Sequence, residues 1–73
     1  MKKSIHNFTV LIEQDEDGSY VGTVPTLRGC HTQGKTMDEL LANIKEAIEL
    51  CLDVEKELPT DHFIGVQQVQ VEV

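Results

Sequence analysis

Aromatic residues are scarce in this chain. It has no tryptophan, one tyrosine and two phenylalanines among 73 residues. Single-stranded nucleic acids are held on aromatic stacking platforms, so a surface of that kind is not expected. Basic residues are few as well: six Lys and Arg stand against 13 Asp and Glu, for a formal charge of −7. Phosphate backbones need clustered cations that release counterions, so direct nucleic-acid binding is not expected. Anionic membranes are disfavoured on the same ground, and no apolar run approaches the ~20 residues of a membrane span. The start, Met1-Lys2-Lys3-Ser4-Ile5-His6-Asn7, has two lysines but no apolar stretch behind them. It does not read as a secretory leader, so a cytoplasmic location is expected. Cysteine is limited to Cys30 and Cys51, which in a reducing compartment read as two buried thiols acting as small hydrophobes. No glycine-rich phosphate loop is present, because Gly18, Gly22, Gly29 and Gly34 are dispersed at turns. Internal repeats, linkers and low-complexity stretches are absent too.

What remains is a globular composition, 40% hydrophobic and 26% charged, in place of a disordered one. The length predicts a single domain, residues 1–73. A core this small removes only ~60% of the unfolded surface from water. Net stability on the order of 4–11 kcal/mol follows from the usual per-residue rate.

Phe8-Thr9-Val10-Leu11-Ile12-Glu13 alternates with period two and predicts a first strand, with Phe8, Val10 and Ile12 on its apolar face. Leu11 falls on the opposite face, which is therefore not wholly polar. Asp17-Gly18 is a strong turn signal, and Tyr20–Val24 predicts the second strand of a hairpin, ended by Pro25. A short third strand is expected over Cys30–Gln33. A helix then starts sharply: Thr36 is a good N-cap and Glu39 completes a capping box three residues later. Asp38 and Glu39 also suit the positive end of the dipole. Met37, Leu40, Leu41, Ile44, Ala47, Ile48, Cys51 and Val54 fall on one wide stripe, with Leu50 well off it. Pro59 sets the latest end, giving about five turns.

In the tail, Ile64 and Val66 share one phase of alternation, while Val69, Val71 and Val73 share the other. The slip across Gln67-Gln68 means either a bulge or two strand segments with different neighbours. A valine-rich terminal strand is a template for pairing with another copy, so Leu50, Val69, Val71 and Val73 are the candidate self-association residues. The order β-β-β-α-β gives an α+β domain, with an antiparallel sheet covered on one face by the helix. A homo-oligomer, a dimer or tetramer, would cover what remains.

Catalytic constellations are weak. A calcium loop built on Asp15-Glu16-Asp17-Gly18 would need its bidentate acid at position 24, which is Val24. Cys30 and His31 are adjacent and on a strand point to opposite faces, and no metal-ligand spacing joins His6, His31 or His62. A nucleophilic Cys30 would lack an oriented base. No catalytic residue, cofactor or metal is therefore expected, and the chain does not read as an enzyme. The charge pattern is more informative. Glu46, Glu49, Asp53, Glu55 and Glu57 stand against Lys56 alone near the helix C-terminus. Acids there oppose the macrodipole by roughly 0.3–1 kcal/mol each, and Glu49–Asp53 and Asp53–Glu57 are like-charged i,i+4 pairs. An acidic surface for a basic partner explains that pattern. Glu46, Glu49 and Asp53 on the helix, with Asp15, Glu16 and Asp17 in the hairpin loop, are the candidate partner-binding residues.

Several of these stretches resemble the HicB-like antitoxins. They are Phe8-Thr9-Val10-Leu11-Ile12-Glu13, Asp15-Glu16-Asp17-Gly18-Ser19-Tyr20-Val21, Val24-Pro25-Thr26-Leu27, Gly29-Cys30-His31-Thr32-Gln33-Gly34 and Asn43-Ile44-Lys45-Glu46-Ala47-Ile48 after Thr36. The resemblance implies a partial ribonuclease-H-like fold of β-β-β-α-β order. It also implies a non-catalytic antitoxin role, in which a small basic HicA-type RNA-cleaving toxin is bound and its active-site histidine covered. Three features depart from the family. Leu27-Arg28-Gly29-Cys30 stands where Leu-Pro-Gly-Cys is usual, and Lys35 where an acid is frequent. Full-length members also carry a C-terminal ribbon-helix-helix or helix-turn-helix module, and none is expected here, so operator binding is not carried over. Nor is ribonuclease-H activity, which needs several carboxylates on the sheet, where only Glu13 is expected near the core. The rival readings are a minimal metal-dependent nuclease and an oligomeric module with no toxin.

Overall fold

A computed structural model of the chain describes residues 5–55 and 60–73. Three antiparallel strands lie in the order β1 (Leu11–Gln14), β2 (Tyr20–Thr23) and β3 (His31–Gly34), and are followed by one helix, α1 (Met37–Glu55). The α+β class and the sheet-then-helix order match the sequence reading. Register pairs Ile12 with Gly22 and Glu13 with Val21 in one ladder, and Gly22 with Thr32 in the other.

The hairpin between β1 and β2 is closed as Asp17-Gly18 predicts. Asp15 N–H donates to the Ser19 carbonyl at 2.7 Å, and Gly18 N–H to the Asp15 carbonyl at 3.0 Å. Gly18 has φ 89°, the left-handed position of a three-residue loop. Two consecutive turns join β2 to β3. Leu27 N–H donates to the Val24 carbonyl, Cys30 N–H to the Leu27 carbonyl, and Val24 N–H to the Cys30 carbonyl. Gly29, at φ 71°, occupies the third position of the second turn, where a side chain would be strained. Arg28 precedes it, at the position that proline's fixed φ suits. Arg28→Pro should therefore stabilise the protein by about 0.4–1 kcal/mol through the unfolded state. A urea midpoint that fell instead would mean that the stem of Arg28, beside Leu50 and Val54, contributes more than the turn gains.

Proline explains one correction. The first strand was expected over Phe8–Glu13, but the ladder begins only at Leu11. Its partner ends at Thr23, because the next pair to share hydrogen bonds would be Thr9 with Pro25, which has no N–H to give. Phe8 and Val10 nevertheless pack on the core, as their phase predicts. The third strand is likewise shifted by one residue, to His31–Gly34.

Helix α1 starts at the expected cap: Glu39 N–H donates to Thr36 Oγ1 at 3.1 Å, a contact typically worth ~1 kcal/mol. The core comprises Val24, Leu27, Cys30, Leu40 and Ile44. Ala47, Ile48, Cys51 and Leu52 pack beside it. Three stripe residues depart from expectation, since Met37, Leu41 and Val54 are exposed. A three-stranded sheet is narrower than the stripe and shorter than a 19-residue helix. Cys30 is buried and Cys51 half-buried, both as thiols.

A second correction concerns the tail. The final strand expected after the helix is not formed: residues 60–73 carry no strand, so the observed order is β-β-β-α. A strand needs a ladder partner for its backbone groups, and this tail lies on no edge of its own sheet. Ile64, Val66, Val69, Val71 and Val73 are all exposed. The helix stop at Pro59, the Asp53–Glu57 pair, Lys56 and the side chain of Glu55 lie outside the described residues.

Candidate functional site

The six candidate acids form two separate surfaces. Asp15, Glu16 and Asp17 occupy the hairpin tip, and all are exposed. The tip is held rigidly. Ser19 N–H donates to Asp17 Oδ1 at 3.0 Å, and Gln14 Nε2 donates to the Gly18 carbonyl at 3.2 Å. One Asp17 oxygen thus serves the turn, while all three carboxylates remain exposed. Tyr20, at the base of this hairpin, pairs with Gly34, and Gly34 lies against the backbone of Leu40. The tip therefore belongs to the end of the sheet where α1 begins.

The second surface lies near the other end of α1. Leu40 and Asp53 are thirteen residues apart, about 20 Å along a helix. Glu46 lies three and four residues before Glu49 and Leu50, and Asp53 four and three after them, so the four share one face. All four are exposed, and Leu50 is 61% accessible. The last turn carries no basic residue. Leu50 also lines a shallow depression of 240 Å³ with Arg28, Cys51 and Val54. The arrangement is an apolar anchor flanked by carboxylates along the helix, with Arg28, Cys51 and Val54 on its other side. No single site unites it with the hairpin tip.

The sequence reading missed a third surface. A groove of 720 Å³ runs along the flank of α1, lined by Ile5 to Phe8, Ile44, Lys45, Ile48, Glu49 and Leu52. It exists because α1 packs over β3 and, less closely, β2, and does not reach β1. Leu52, off the expected stripe yet half-buried, is its trace in the sequence.

The residues considered for catalysis are kept apart. Cys30 is buried, whereas His31 is exposed and donates from Nδ1 to the Gly29 carbonyl at 3.1 Å. Glu13 is exposed on β1. Among the described residues no group of three His, Cys, Asp or Glu converges as metal ligands. No helix among them is long and apolar enough to cross a membrane.

A family model described as "HicB_like antitoxin of bacterial toxin-antitoxin system" matches residues 8–72. A UPF0150 protein of Archaeoglobus fulgidus is 58% identical over 64 residues, covering 88% of this chain and 93% of that protein. A UPF0150 protein of Synechocystis sp. is 56% identical with the same coverage. One of Thermotoga maritima is 38% identical over 99% of both chains.

Proposed function

Because the chain belongs to the HicB-like antitoxin family, we propose that it neutralises a small basic HicA-type RNA-cleaving toxin by direct contact, without catalysis of its own. The observation that carries this reading is the helix face of Glu46, Glu49 and Asp53 around exposed Leu50. Opposite charge speeds encounter with a cationic protein. A desolvated apolar anchor lengthens the life of the complex. The same face suits self-association poorly, because two copies would bring like charges together across the contact. Leu50 is for that reason assigned here to the partner surface. Asp15 and Glu16 at the hairpin tip add to the steering field and not to the anchored contact.

The test is the kinetics of binding to such a toxin at low and high salt. The paired change Glu49→Lys and Asp53→Lys should lower the association rate about tenfold or more at low salt, with a smaller effect at high salt. Leu50→Ala should mainly raise the dissociation rate. Magnesium-dependent RNA cleavage by the chain alone, lost on Glu13→Ala, would replace this reading with the nuclease.

A further inference from the structure

We propose that the C-terminal segment bearing Val69, Val71 and Val73 adds as a fourth strand to the open β1 edge of a second copy of this chain. The inference is independent of any toxin. It begins with backbone groups. Asp15 bonds inward to Ser19, so alternation turns Glu13 and Leu11 toward β2 and leaves the N–H and C=O groups of Ile12 and Gln14 facing outward. No hydrogen bond from a described residue reaches those outward groups. The opposite edge is different, because the Gln33 carbonyl on β3 is capped by Asn43 Nδ2 at 2.9 Å. Among the described residues the β3 edge is thus partly capped, and the β1 edge is not.

Side chains point to the same edge. Ile12 pairs with Gly22, whose missing Cβ would face Leu40 and Val10, so Ile12 lies on the helix side of the sheet. It is still 41% exposed, because α1 does not reach β1. A strand added there with its valines on the helix side would cover Ile12, and would place Gln70 and Glu72 on the opposite face. The tail has the required alternation and length, and it is not using the edge of its own sheet: Val69, Val71 and Val73 are 78%, 72% and 117% exposed. The whole chain is drawn out to 52 × 27 × 18 Å. Two-fold exchange uses both tails and both edges at once, which a single toxin docked at one edge would not.

The full chain tested by light scattering should have twice the 8.2 kDa mass of one copy, or a higher even multiple, at micromolar concentration. The amides of Ile12 and Gln14 should resist hydrogen exchange. Val71→Lys should return the mass to one copy and expose both amides, with the helical circular dichroism unchanged. Gln70→Lys, in the other phase, should leave the assembly intact. A wild-type monomer would overturn the proposal, including one with those amides protected by its own tail. So would an assembly that survives Val71→Lys but is lost with Leu50→Lys.

Discussion

Gly34→Ala should destabilise the protein by about 3 kcal/mol or more, the upper range for overpacking. An added Cβ would stand 2.5 Å from the Leu40 nitrogen, 2.8 Å from its Cα and 3.0 Å from the Glu39 carbonyl carbon. These are backbone atoms and cannot swing aside as a side chain would. Relief requires the start of α1 to lift from the end of β3, and that junction is where strand passes directly into helix. The two elements are separated by Lys35 and Thr36 alone, so the strain has little chain to spread over. Against a total on the order of 4–11 kcal/mol, such a loss leaves a substantially unfolded population. Chemical denaturation measures it, and a change below about 1 kcal/mol would show that α1 is not closely seated on β3.

The second large effect is expected at Leu40. Its side chain is fully buried, and it rests over β2, with Cδ1 3.2 Å from where a Gly22 Cβ would lie. Leu40→Ala should cost about 2–5 kcal/mol by lost transfer energy and a residual cavity. The two substitutions also carry a joint expectation. Gly34 would strike the backbone of residue 40, so truncating the Leu40 side chain should not rescue Gly34→Ala. A double variant more stable than Gly34→Ala alone would mean the clash is with the side chain instead.

Local chemistry was legible in the sequence. Asp17-Gly18 marked a turn because glycine accepts the left-handed geometry found there. Thr36 and Glu39 marked a helix start because a hydroxyl must satisfy an orphan N–H, and it does so. The phase of Phe8 and Val10 identified the core face. Misses occurred where an answer depends on a distant neighbour. Strand β1 begins late because Thr9 falls opposite Pro25, which has no N–H for the ladder, and that pairing is set only by the register of the folded sheet. The tail's alternation is plain in the sequence, but alternation names a face and not a partner, and its own sheet supplies none. The candidate acids read as one charged population. The lengths of sheet and helix place them at two ends. The groove beside α1 was invisible because periodicity shows which face a helix buries, not which strands it reaches.

The central claim is that this acidic domain acts by covering a basic ribonuclease. The direct measurement is RNA cleavage by a HicA-type toxin titrated with the purified full chain. Cleavage should fall in proportion to added chain and cease near one chain per toxin, while the chain alone leaves RNA intact. Undiminished cleavage at a large excess of chain, or cleavage by the chain without toxin, would contradict it.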